Sequence, residues 1–208
     1  MTESIISMEG ALDRMSGIKP SSAKKIETYA QRCYKDFMNP ELHKWWEDCR
    51  DDKDVVRSIS RPFYDLVHAC SIPTGLITEK AFNKKVSVTS FLLTKDHPFR
   101  PQFVNQYMWD NPEKFYDFSV FRDWFIMCCS TIFVLNKENN QLSFGGTKND
   151  GECYSIMSST DQQYVRANLD LYLYSSDRLW KNKTLTLASN IIDAPVDLLE
   201  YEKRYLVA

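Results

Sequence analysis

Apolar residues in the first 75 positions recur at helical spacing, and this periodicity constrains the fold more than any other feature of the chain. From Ser22 onward, Ile26, Tyr29, Ala30, Cys33, Tyr34 and Phe37 fall on one face of a helix. Asn39-Pro40 reads as a stop and restart, because asparagine caps helices and proline suits the first helical turn. A short helix carrying Leu42, Trp45 and Trp46 follows. Another opens at Pro62 and carries Phe63, Leu66, Val67 and Cys70 before Ser71-Ile72-Pro73. His68 lies beside that stripe, where a structural role outweighs that of a ligand.

Beyond residue 75 the pattern changes. Thr78 to Lys84 reads as a short helix or loop, and Val86 to Leu93 as a strand from its Val, Thr, Phe and Leu content. Phe103, Tyr107 and Met108 predict a helix ending before Asn111-Pro112, and Phe115 to Cys128 a second one. Thr131 to Leu135 then reads as a buried strand, and Asn136 to Leu142 as a turn or short helix. In the remainder, Cys153 to Met157 reads as a strand, and Ser159 or Thr160 caps a helix that includes Tyr164. Leu169–Tyr174 and Thr184–Leu187 alternate like strands, and Val196–Leu206 is helical. The class is α+β: a helical N-terminal portion, 1–75, followed by a small mixed α/β centre within 76–208. The two form separate portions or one compact domain.

Composition narrows the function. With 43% hydrophobic and 26% charged residues in 208, the chain can bury a core and is not disordered overall. Only 6 glycines occur, and neither GxxxxGK[ST] nor GxGxxG is present, which sets aside phosphate-cradling loops. A net charge of -2 argues against a generally cationic nucleic-acid binder but leaves room for a local basic face. The six cysteines show no CxxC spacing, so structural zinc is not expected, and Cys33, Cys70, Cys128 and Cys129 sit among apolar neighbours. No secretory pattern opens the chain, and no apolar run reaches membrane-spanning length. The expected setting is a reducing cytoplasm, that of the host if the protein is viral.

One segment carries chemistry. Thr94-Lys95-Asp96-His97-Pro98-Phe99-Arg100-Pro101 follows the apolar run and sets a carboxylate beside an imidazole on a short loop. Such a pair serves a metal-dependent hydrolytic centre, or is simply a solvated loop. In the first case Asp96 and Asn139 would hold a hard cation such as Mg²⁺, and His97 would activate water. Arg100, with Lys95, would neutralise a phosphate.

The run from Thr94-Lys-Asp-His97 through Arg100-Pro-Gln-Phe-Val104 and Asp110-Asn-Pro112 continues to Cys128-Cys-Ser-Thr-Ile-Phe-Val-Leu-Asn-Lys-Glu-Asn-Asn-Gln-Leu142. Together these stretches resemble the HNH (ββα-metal) nucleases, particularly the homing-type proteins of bacteriophages. The likeness covers roughly residues 85–175, including Tyr164 and Leu169-Asp-Leu171. It implies a DNA endonuclease that hydrolyses phosphodiester bonds with a divalent cation. Asp96-His97 would end the first strand, and Asn139 on the following helix would complete the metal site.

Two clusters set aromatic residues beside cations. His43-Lys44-Trp45-Trp46 packs against the core or stacks on bases, with packing the stronger reading. Arg178, Trp180, Lys181 and Lys183 form a candidate nucleic-acid contact with an equally good packing alternative. Cys128-Cys129 is a poor nucleophile, since an apolar setting raises a thiol's pKa. No Gly-x-Ser-x-Gly elbow occurs, and Asp51, Asp52 and Asp54 read as a solvated charged turn. The competing class is a non-catalytic viral protein that binds a host protein and inhibits or redirects it.

Overall fold

A computed structural model describes residues 6–88, 90–142, 164, 167–176, 183–188 and 193–206. The chain is α+β, with a helical N-terminal part and a five-stranded mixed sheet. It divides into two compact units, each assembled from separate stretches of chain.

The helical unit takes in Met8–Ile72 and Phe99–Ser130. Its first four helices are α1 (Met8–Gly17), α2 (Pro20–Phe37), α3 (Pro40–Cys49) and α4 (Lys53–His68). Asn39 caps α3, its side-chain oxygen accepting the Glu41 N–H at 3.0 Å, as the Asn-Pro pair foretold. Pro62 does not open a helix; it lies inside α4. Asp52 starts that helix earlier by accepting the N–H groups of Asp54 and Val55. Pro62 sits on the exposed face, where its missing N–H and its ring meet water instead of the core.

Two further helices complete this unit, α6 (Pro101–Asp110) and, after a 3₁₀ turn at Pro112–Lys114, α7 (Phe118–Cys128). The helix α7 packs on α1 and α2, and α6 packs on α4. The interior is aromatic. The Phe37 ring meets Trp109, Phe115 and Phe121, Phe63 meets Phe121 and Phe125, and Tyr107 stacks on Trp124 at 5.2 Å. Two indoles find acceptors, Trp46 on Asp110 at 2.8 Å and Trp109 on Asn105 at 3.2 Å.

The sheet unit comprises Met1–Ser7, Pro73–Pro98 and Thr131–Ala208. Its strands are β1 (Ile72–Thr78), β2 (Thr94–Asp96), β3 (Ser130–Val134), β4 (Leu171–Ser176) and β5 (Lys183–Leu187), in the order β2-β3-β1-β4-β5. The pairs β2–β3, β1–β4 and β4–β5 are antiparallel. Helices of this unit among the described residues include α5 (Glu79–Ser87), α8 (Asn136–Gln141) and α9 (Val196–Leu206). Ile77, Ala81 and Phe82 form a buried cluster to which Val86, Leu93, Phe133, Leu135 and Tyr174 add.

One expectation is corrected here, and one strand is added that the sequence reading passed over. Val86 to Leu93 is not a strand, because α5 runs on to Ser87 and only Thr94–Asp96 pairs with β3. Phe82 and Val86 lie one helical turn apart in the same apolar cluster. After the helix, Phe91 N–H donates to Val88 C=O, and Lys85 Nζ to Phe91 C=O at 2.7 Å, so the connection is used as a turn. Conversely, Ile72–Thr78 is a strand despite its Pro and Gly. Pro73 stands near the strand's start, and Gly75 takes φ +79, open to glycine. The proposed strand at 153–157 and the cap at Ser159 or Thr160 lie outside the described residues.

Candidate functional site

Asp96 ends β2 and pairs across the sheet with Ile132. Its side chain is 2% exposed and that of the next residue, His97, 3%. The Tyr164 hydroxyl donates to Asp96 Oδ2 at 2.5 Å inside the sheet unit. Tyr164 is itself held by the chain, since its carbonyl accepts the Leu169 N–H at 2.8 Å around a turn in which Asn168 takes φ 54. Of the two alternatives the sequence left open, the solvated loop does not hold: Asp96 ends a strand and both residues are buried.

Asn139 lies on α8, which packs on β2. It is half-buried, and its neighbour Glu138 is the buried one at 3%. Glu138 Oε2 accepts from Thr78 Oγ1 at 2.6 Å and from Leu135 N–H at 2.8 Å. Thr78 is in turn the cap of α5, accepting the Ala81 N–H. One carboxylate thus fastens the first turn of α8 to the junction of β1 and α5. Glu138 and Tyr164 were not foreseen as polar anchors; Glu138 had a local signal, since it lies three residues past Leu135, as in a helix-start box.

Arg100 belongs to the helical unit, where it precedes α6 and is buried; its carbonyl accepts the Val104 N–H. Arg178, Trp180 and Lys181 lie outside the described residues. The Lys183 backbone opens β5, in register with Ser176. Trp46 is a core residue, as the packing reading held, whereas Trp45 is 41% exposed. His68 is exposed at the end of α4, its ring 4.1 Å from that of Tyr64.

Among the described residues, no three His, Cys, Asp or Glu side chains gather to hold a metal ion. A Mg²⁺ ion keeps several waters and needs open space around its ligands. Of the expected ligands, Asp96 is buried with one oxygen engaged by Tyr164, and Asn139 is half-buried.

Thiol chemistry is uneven. Burial pushes Cys33 up to about 12 and Cys128 higher still, so both are inert as the apolar setting predicts. Cys70 is shifted the other way by a hydrogen bond from Cys129 and, in smaller part, by the charge of Lys25.

The helical unit leaves Met38, Trp45, Tyr116 and Val120 exposed. Tyr116 is anchored through its backbone, whose carbonyl accepts from the Tyr34 hydroxyl. The His43 ring lies between Phe37, Trp109 and Tyr116, and its buried Nε2 has no hydrogen-bond partner. Among the described residues, no helix is long and apolar enough to cross a membrane. Comparison with protein-family models, with curated proteins and with solved structures found no match.

Proposed function

We propose that the chain is a non-catalytic binding protein that docks on another protein, in the viral case a host protein, through its helical unit. The observation that carries this reading is the burial of Asp96 and His97, with Asp96 held by Tyr164. Burial supports it because a reactive pair is better served by open access to substrate and water. Exposed Trp45 and Tyr116 are of the residue types that anchor protein interfaces.

A second reading, an HNH-type DNA endonuclease, is supported by the order of elements. An antiparallel pair, β2 and β3, is followed by a helix, α8, that packs on the first strand, with Asp96-His97 closing that strand. In that reading Asn139, Arg100 and the 178–183 segment would serve metal, phosphate and DNA.

Affinity capture with the full chain separates the two. The wild type is expected to hold one stoichiometric partner that a Trp45→Ala, Tyr116→Ala variant of unchanged circular dichroism loses. Plasmid nicking is run in parallel with Mg²⁺ or Mn²⁺, an EDTA control and His97→Ala. Metal-dependent nicking that His97→Ala abolishes, together with no partner captured, would overturn the binding reading in favour of the nuclease.

A further inference from the structure

The turn between α5 and β2, in the sheet unit, holds apolar side chains out in water. Leu92 is 87% exposed, the highest value among the exposed large hydrophobic residues described, and Val88, on the same turn, is 41% exposed. Scattered single leucines on a surface need no explanation, but here two aliphatic side chains share one turn of defined shape. The Phe91 N–H donates to the Val88 carbonyl at 2.8 Å, and Lys85 Nζ donates to the Phe91 carbonyl at 2.7 Å. The Lys84 ammonium lies over the Phe91 ring, 5.5 Å from its centroid. Leu93 packs on the buried Ile77, Ala81 and Phe82, so its neighbour Leu92 is turned the other way.

The same turn is flanked by cations. Residues 80 to 95 include Lys80, Lys84, Lys85 and Lys95 and no aspartate or glutamate, in a chain whose net charge is -2. Lys80 and Lys84 are exposed one helical turn apart on α5, and Lys95 is exposed on β2, three residues past Leu92. The nearest acid before this stretch, Glu79, stands at the opposite end of α5 from the turn. Aliphatic side chains between lysines match a surface that offers both a hydrocarbon boundary and negative charge. Nucleic acid offers the charge alone, and Val88 and Leu92 give its bases no ring to stack on. A bilayer with anionic headgroups offers both, and contact with its surface requires no membrane-crossing helix.

We propose that the turn after α5 is a contact site for an anionic lipid bilayer. Val88 and Leu92 enter the headgroup layer, and Lys80, Lys84 and Lys95 face the lipid phosphates. The bonds from Lys85 and within the turn keep it shaped before contact, so little ordering is left to be done on binding. A single short turn with a few lysines gives reversible attachment, of the kind that responds to lipid composition and salt.

The full chain is sedimented with vesicles of phosphatidylcholine alone, and with vesicles of phosphatidylcholine and phosphatidylserine in equal parts. Binding is expected on the anionic vesicles only, weakening as salt is raised. Leu92→Ser is expected to lower the partition coefficient about tenfold. Lys80→Gln and Lys95→Gln are each expected to lower it about fivefold. All three positions are exposed, and circular dichroism checks that each variant is folded. The Trp45→Ala, Tyr116→Ala variant is expected to bind vesicles as the wild type does, so this site and docking through the helical unit are tested separately. No sedimentation with anionic vesicles overturns the proposal, as does equal binding to neutral ones or binding that Leu92→Ser leaves unchanged. Binding of an oligothymidylate that needs the lysines but not Leu92, without vesicle binding, would assign the turn to nucleic acid instead.

Discussion

Glu138 and Asn139 are adjacent residues with opposite roles. Glu138 satisfies two donors in a dry setting, Thr78 Oγ1 and the Leu135 N–H, whereas Asn139 is half-buried and contributes its N–H to α8. Glu138→Ala strands both donors and is expected to cost about 2–3 kcal/mol of unfolding free energy. Asn139→Ala is expected to cost about 0.5 kcal/mol or less. Urea denaturation of the two variants checks the contrast; equal losses would mean that the Glu138 bonds do not anchor α8. The sequence singled out Asn139 because an amide after a strand is a familiar cation ligand. What chose the inward residue was the phase of a six-residue helix, which one-residue differences in its start can rotate. Asp96 was legible as a special residue, but not what holds it. Tyr164 lies 68 positions away, and no local pattern reports such a pairing.

At the scale of elements, side-chain caps mark several helix starts, including Asp52 at α4, which the sequence reading passed over. Asp117 caps α7, accepting from the Ser119 hydroxyl and the Ser119 N–H, both at 2.7 Å. These bonds, the hydroxyl's first, hold its carboxyl below the ordinary 3.8. A depressed acid stabilises the fold fully above its unfolded value and loses that contribution as pH falls through its folded value. Thermal midpoints followed from about pH 5 to about pH 2 are therefore expected to fall less steeply in Asp117→Asn than in the wild type. Parallel curves would remove Asp117 from the acid response. The same logic made α3, α6, α7 and α9 readable, each having a cap, a proline start or a clear apolar stripe. It failed where tertiary placement overrides local preference. Pro62 is tolerated because it faces water, Gly75 because a strand needed its left-handed turn, and Val86 joins a helix because Phe82 lies one turn before it on the same core.

The whole molecule is discontinuous. Each unit is built from stretches that are far apart in sequence, and the helical unit takes its last helices, α6 and α7, from beyond residue 98. Those two helices supply Trp109, Phe121 and Phe125, against which Phe37 and Phe63 pack. A fragment ending at Pro98 is expected to keep helical circular dichroism but to lose cooperative thermal unfolding and near-ultraviolet signal. A sharp two-state transition in that fragment would show that α1 to α4 suffice alone. The pairing of α1 with α7 also has a meaning in time. On a ribosome, the first helix is made long before its partner, and β1 waits longer still for β4. Neither unit can close on itself early, so Phe37 and Phe63 emerge as sticky surface and stay so until residue 125 and beyond have been added. For such a chain, the speed and company of synthesis decide yield as much as the stability of the finished protein.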